Sequence, residues 1–365
     1  IASWPERQTD LDTIGQWGRQ WLAGADIYSS GAMPDYPPHA IVLLSPLGLL
    51  SHGWLVLAWA ALNLGLVVAA PFLAVRIARP KSEWSAIALP ILMLLCWGGF
   101  RTLLQFSLLA LASGLLSMKL ADQRPIWSGV CLGVSLMKPQ MAAPFLLWAA
   151  LTRRWRVVAV GSVTVAFGTA VYCSRAGTGP IDVFKHYFGI LNTYYVSDEV
   201  LIMVGLAQLR PLITLAVGGT SLVNAVAFSI AAGLLTAICV LGWPEGRQRD
   251  AIMLSAPPLA AVWSLLTFYH LTYGFVVLLP AATALLFLDD PPSRRFRQTV
   301  FSSMQLALMF DVPGIWDRFA SRFVPDGSLL ASPLLGHTDR VLAAGLFVSL
   351  SVLVIRRRRV RGTPV

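Results

Sequence analysis

The sequence predicts an all-α polytopic membrane protein, and three observations predict it. Hydrophobic residues make up 56% of the 365 and charged residues only 13%. With a mean hydropathy of +0.67, this leaves too little polar surface to solvate a globule of that length. The apolar residues fall in runs suited to spanning helices. The basic residues gather in short clusters between those runs, as cytoplasmic loops do. The net charge of +10 therefore does not point to nucleic acid, and the expected surroundings are membrane lipids. Cys96, Cys131, Cys173 and Cys239 lie in or beside apolar runs with no paired spacing for zinc or a redox dithiol, so they read as packing residues.

Taken in order, the first 39 residues are polar enough to be aqueous. The sequence starts at Ile1 rather than Met, and the expectation is that a first spanning helix is missing ahead of it. Thr9-Asp10-Leu11-Asp12 precedes a mildly amphipathic helix over roughly 13–23, with Trp17 and Trp21 four residues apart on one face. Thr9 or Asp10 suits the cap of that helix. Either acid, Asp10 or Asp12, also suits a carboxylate at a cavity mouth, able to take a proton from a hydroxyl. The apolar run 40–50 has about half of the roughly 20 residues a span needs. Pro37 and Pro38 start it and Pro46 to Gly48 stop it, which predicts a short helix or re-entrant piece beside a cavity at the outer face.

Runs suited to spanning follow at 53–75, 85–100, 103–118, 157–173, 221–242, 251–268, 271–288, 298–310 and 340–355. The block 126–152 is interrupted by Lys138-Pro139-Gln140, as one kinked helix or as two half-length helices in a hairpin. Charge favours the hairpin. It puts 18 of the 28 Lys and Arg, with six of the 18 acids, on one side, whereas a single helix would send Arg356 to Arg359 outside. One membrane domain, 1–365, results. Residues 1–52 form a first extracytoplasmic loop with interfacial helices, and 53–365 form a transmembrane bundle with outer loops near 175–220 and 311–339.

A charge within an apolar block is expensive unless it meets a partner or an aqueous cavity, which makes Lys138 a functional candidate; the alternative is a lysine snorkelling from the hairpin tip. Facing inward, its ammonium would pair with an anionic phosphate. His270, in Phe268-Tyr269-His270-Leu271-Thr272-Tyr273, joins two spans on the outer side, as an interfacial histidine or a catalytic one. Arg101, Arg175 and Arg210 are the other outer cations able to meet a phosphate. The outer acids Asp10, Asp12, Asp26 and Asp35 could bind a divalent ion, yet their spacing is no recognised metal motif, so no cofactor is expected and metal dependence stays open.

Together these residues resemble the GT-C polyprenol-phosphate-dependent glycosyltransferases, specifically the family 87 mannosyltransferases and their arabinofuranosyltransferase relatives. Asp10-Leu11, Gly24-Ala25-Asp26-Ile27-Tyr28, Tyr36-Pro37-Pro38 and Pro46-Leu47 are similar, in order and spacing, to that family's first outer loop. Residues 129–140 with Arg153 to Arg156 resemble its Lys-Pro hairpin, and 263–270 with 278–280 its late histidine loop. Leu104-Gln105-Phe106-Ser107 departs from its Gly-Gln-x-Asn.

The resemblance implies a GT-C-like bundle of about ten transmembrane or half-spanning helices in the cytoplasmic (inner) membrane. It implies transfer of a sugar, mannose first, from a polyprenyl-phosphate sugar donor to a hydroxyl of a glycolipid or glycan acceptor on the extracytoplasmic face, with inversion. Asp10 would be the base with Asp12 as backup, and His270 would assist. Lys138, Arg210 and Arg101 would bind the donor phosphate, while Tyr28, Tyr36, Pro37, Pro38 and Gln140 would line the substrate pocket. The rival classes are an ion-coupled secondary transporter, for which two similarly interrupted halves are expected, and a non-catalytic membrane scaffold.

Overall fold

The computed structural model describes residues 10–78, 90–91, 105–196, 213, 220–242, 256–267, 276–280 and 283. Regular structure among them is helical throughout: α1 Asp10–Leu22, α2 Pro38–Leu44, a 3-10 helix Ser45–Leu49, α3 His52–Ala78, α4 Ser107–Leu120, α5 Pro125–Ser135, α6 Pro139–Leu151, α7 Trp155–Ala176, α8 Pro180–Val196, α9 Thr220–Gly242 and α10 Ala256–Thr267. The expected spans at 298–310 and 340–355, most of those at 85–100 and 271–288, and the outer loop 311–339 lie outside the described residues. His52–Ile77, Trp155–Ala176 and Leu222–Val240 are long and apolar enough to cross a membrane, and the protein is an integral membrane protein. Large apolar side chains such as Trp54, Leu57, Leu64, Val163, Phe167 and Phe228 stand exposed on these helices, as lipid-facing surfaces do.

The chain divides into two compact units, Ile1–Ala70 with Phe100–Ala142 and Arg156–Tyr195, and Pro71–Gly99 with Ala143–Trp155 and Val196–Val365. In the first, α3 turns Leu55, Trp59, Asn63, Val67 and Ala70 inward, a stripe of helical period. α4 and α5 run antiparallel, because Ser128 Oγ donates to the Ser117 carbonyl at 2.7 Å and Ser135 Oγ to that of Ala110 at 2.7 Å. α7 runs parallel to α5. A Cβ on Gly129 would stand 2.4 Å from Val160 Cβ and 2.9 Å from the Val157 carbonyl, and one on Gly133 would stand 2.5 Å from Thr164 Cβ. Only hydrogen fits at either place, which lets the two backbones close on each other.

That register decides the form of the block 126–152. It is two helices, α5 and α6, parted at Leu136–Lys138 by three-residue turns in which Met137 N–H reaches the Val134 carbonyl and Lys138 N–H that of Ser135. Since α7 starts level with α5 and runs the same way, the chain between them turns back. One end of the unit therefore collects α1, α2, the start of α3, the start of α4, the end of α5 and the end of α7. Lys119, Arg124 and Arg156 lie at the other.

α1 takes in Asp10 and Asp12, which the sequence reading set ahead of the helix. It ends in a Schellman cap: Gly24, at φ +92, donates to the Trp21 carbonyl and Ala25 to that of Gln20. The run 40–50 starts and stops where its prolines predict, and tightens at Ser45 from α-helix into the 3-10 helix. That short piece packs on α1 backbone to backbone, since a Cβ on Gly48 would lie 2.7 Å from the Arg19 amide.

In the second unit Trp263 Nε1 donates to the Ala231 carbonyl at 3.0 Å, tying α10 to α9, and α10 is buried from Leu259 to Leu266. The end of α6 is closed by Arg153 at φ 56, with Arg154 N–H returning to the Ala149 carbonyl. This is the same cap as at Gly24, made without glycine. The Arg154 guanidinium lies 5.0 Å from the centre of the Trp148 ring.

Candidate functional site

The first unit's crowded end is built around Lys138. Its carbonyl accepts from the Met141 and Ala142 amides and starts α6, and Pro139 takes the next position, where its missing N–H costs nothing. This turn sends the lysine side chain back into the bundle. It is 6% exposed, with Nζ 3.0 Å from Ser107 Oγ, 3.3 Å from Gln105 Oε1 and 5.6 Å from the centre of the Tyr36 ring. Two neutral oxygens and an aromatic face are what a buried ammonium requires in place of water. Ser107 also opens α4, which has no side-chain cap. The positive end of that helix and the ammonium thus share one place, a combination that favours an anion.

Around it the loop 23–37 forms an aromatic wall. The Tyr36 ring stands edge-on to Trp17 at 6.5 Å and to Phe106 at 5.9 Å, and Pro37 and Pro38 are buried beside it. Tyr28 Oη donates to the Tyr36 carbonyl at 2.5 Å. Burial, followed by the neighbouring Tyr172, Tyr187, Asp35 and Asp26, raises the Tyr28 pKa well above the usual value. Tyr28 is therefore a neutral donor that shapes the loop. Asp26 is engaged as well: its Oδ1 accepts from Tyr172 Oη at 2.9 Å and from the Tyr28 amide at 3.2 Å. Tyr172 Oη accepts from the Ile27 amide at 3.0 Å. Arg175 donates to the Leu22 carbonyl, so this cation closes α1.

Behind this wall His39, on α2, is 6% exposed, and neither ring nitrogen has a hydrogen-bond partner among the described residues. A Cβ on Gly168 would meet His39 Cβ at 2.6 Å and Cα at 3.1 Å, so α2 comes close to α7 at this histidine. Burial pushes it down to about 4, against a smaller opposing effect of the Gly133 backbone.

Asp12 is found 2.8 Å from His52 Nδ1, its side chain 25% exposed. Asp10 opens α1. Trp59, seven residues along α3 from His52, rests on Phe106 with ring centres 4.1 Å apart, and Phe106 adjoins Ser107. The Asp12–His52 pair thus stands about 10 Å above the Lys138 level along α3.

The structure brings Asp12, Tyr28, Tyr36, Pro37, Pro38, Lys138 and the half-buried Gln140 to one end of the unit. Arg101, Arg210 and His270 lie outside the described residues. Sequence reasoning missed His52, His39 and Tyr172, and used Gln105 and Ser107 only as a departure from a pattern. The available signal was the polar pair Gln105-x-Ser107 at the head of an apolar run. Beyond the wall, α8 carries an open apolar depression of about 600 Å³ lined by Pro180, Ile181, Phe184, Lys185 and Phe188. It adjoins the wall through Tyr187, whose ring lies 6.0 Å from that of Tyr28.

Residues 35–266 match the family model described as Glycosyltransferase family 87. No curated protein and no solved structure matches the chain.

Proposed function

The chain belongs to glycosyltransferase family 87, and on that premise we propose that it transfers a sugar, mannose first among the candidates, from a polyprenyl phosphate to a hydroxyl of a glycolipid or glycan. The observation that carries the reading is the buried Lys138 ammonium. It is held by Ser107 and Gln105 at the same end of the first unit as the acids of α1. In the proposed step the acceptor hydroxyl attacks the anomeric carbon from the face opposite the phosphate and gives its proton to the Asp10 carboxylate. The bond from carbon to the phosphate oxygen breaks, its electron pair leaves with the phosphate, and the sugar inverts.

Lys138, with Arg101 and Arg210, neutralises the departing phosphate, where fixed cations in a dry site count for most. His270 assists at the phosphate or the acceptor. The apolar depression on α8 suits the isoprenoid tail of the donor. The active site then faces away from the cytoplasm, because Lys119, Arg124 and Arg156 gather at the opposite end of the unit and basic loops stay inside.

The test is transfer by the purified protein from a panel of radiolabelled polyprenyl-phosphate sugars. Asp10→Asn should lower turnover by about 10²–10⁴-fold, the range of a lost general base, while the protein stays folded and binds polyprenyl phosphate. Full activity in that variant would remove the base assignment, and loss confined to Asp12→Asn would move the role two residues along. Lys138→Ala should weaken donor binding and slow transfer. Unchanged donor KM and kcat would take Lys138 out of the site.

A further inference from the structure

We infer that His39 is a positioning residue for Lys138: set against α7 at the point where α5 ends, it holds the turn from which the lysine side chain leaves. The inference rests on the reading of Lys138 as the cation that meets the donor phosphate.

The place of His39 follows from the register of the helices. Gly129 of α5 lies on Val160 of α7 and Gly133 on Thr164, a step of four residues on each chain. One more step along the same stripe of α7 is Gly168, and the matching residue of the other chain is Met137. α5 stops at Ser135, however, and α2 takes over the groove. A Cβ on Gly168 would stand 2.6 Å from His39 Cβ and 3.1 Å from its Cα. α2 therefore occupies the space into which α5 would have grown, and the chain turns off through Leu136–Lys138 beside it.

The end of α5 offers the histidine an acceptor. The last carbonyls of a helix have no amide of a following turn to bond, and Met137 N–H goes to the Val134 carbonyl at 3.0 Å rather than to that of Gly133. The Gly133 backbone acts on the His39 ring in the sense that favours a proton, as a carbonyl does and an amide does not. Neither ring nitrogen completes a hydrogen bond among the described residues. A buried polar ring without a full bond costs stability, and a leucine would fill the groove at less cost. What the imidazole adds is a donor beside the turn that aims Lys138.

From that turn the ammonium reaches Ser107 Oγ at 3.0 Å and Gln105 Oε1 at 3.3 Å. A shift of the turn carries the charge away from the place where it would meet a phosphate. One hydrogen bond to a charged group is worth about tenfold or more in affinity, so loss of the aim should appear in phosphate binding and not in Tm.

The experiment uses the full chain in detergent and measures Kd for two probes, polyprenyl phosphate and the uncharged polyprenol of the same length. It compares His39→Leu, His39→Phe, His39→Gln, Lys138→Ala and the double variant His39→Leu with Lys138→Ala. His39→Leu and His39→Phe should each bind polyprenyl phosphate about tenfold more weakly, with polyprenol unchanged and Tm near neutral pH no lower than wild type. His39→Phe fills the volume of the ring and keeps the comparison where His39→Leu does not fold. His39→Gln, whose amide can still donate, should recover most of the affinity. The double variant should bind no worse than Lys138→Ala, because His39 acts only through the lysine.

Wild-type affinity in His39→Phe, equal losses for the phosphate and the alcohol, or a further loss in the double variant would each overturn the role. A weakened Lys138→Ala beside a wild-type His39→Leu sinks the positioning alone. Wild-type phosphate affinity in Lys138→Ala removes the assignment of the lysine, and the purpose of His39 with it.

Discussion

The seam between α5 and α7 and the knot that binds the loop 23–37 to the end of α7 belong to the same unit and are made of opposite materials. The seam is glycine against backbone: Gly129 on Val157 and Val160, Gly133 on Gly161 and Thr164. The knot is made of polar bonds, with Tyr172 Oη between Asp26 and the Ile27 amide, Trp21 Nε1 on the Tyr172 carbonyl at 3.2 Å and Arg175 on that of Leu22. The difference follows from what each must satisfy. Two membrane helices have their backbone bonds already made and gain little by hiding apolar surface from lipid, so they associate through close packing. A loop at the end of the bundle has unpaired amides and carbonyls, and each one buried needs a partner. Damage to the seam is steric, and damage to the knot is an orphaned polar group.

The largest effect should come from the seam. Gly129→Leu places a Cβ where Val160 and the Val157 carbonyl already are, and both helices have to move. We expect a loss of about 3 kcal/mol or more, or no folded protein, measured as recovery of monodisperse protein and its Tm. A normal Tm would show that the two helices do not meet as closely as the contact implies. The knot comes next. Tyr172→Phe keeps the ring stacked on Trp21 but strands the Ile27 amide, at a cost of about 2 kcal/mol. A Tm shift within error, with the loop's proteolytic pattern unchanged, would count against the network.

The smallest effect belongs to His39, which has the burial of the seam and the chemistry of the knot. Its pKa in the fold, about 4, lies below the usual histidine value near 6.5, so the unfolded chain binds the extra proton first. Stability is then fully present above about 6.5 and falls as the pH drops towards 4. From pH 7 to pH 5.5 the loss is about 1 kcal/mol. His39→Leu should flatten that part of the Tm-against-pH curve relative to wild type. Parallel curves for the two proteins would mean that His39 is not the group responsible.

How much of this was legible follows the same division. α3, α7 and α9 could be read because uninterrupted apolar length is itself the physical requirement for spanning. The breaks at Pro37-Pro38 and Lys138-Pro139 could be read because proline cannot donate within a helix. Charge clusters sufficed to fold 126–152 back on itself. The seam was not legible, since scattered glycines in apolar runs look alike until two helices are set side by side.

Lys138 was found as a charge out of place, but its partners Gln105 and Ser107 lie 33 and 31 residues away, and no local pattern links them. His52 stood alone at the edge of an apolar run and His39 beside two prolines, where a single histidine carries no signal. Asp26 looked like an acid facing water because Tyr172, which donates to it, is 146 residues distant.

The brevity of α5 has a consequence for the depth of the chemistry. From Arg124 at one end to Lys138 is fourteen residues, about 20 Å of helical rise, against a hydrocarbon layer of about 30 Å. With the arginine-bearing turn at one surface, the ammonium stops about 10 Å short of the other. In the proposed reaction, a donor phosphate bound at Lys138 would lie beneath the headgroup plane with its first isoprene units. The proposal therefore requires that the bundle admit water to that depth from one side while presenting an oily flank to the bilayer on the other.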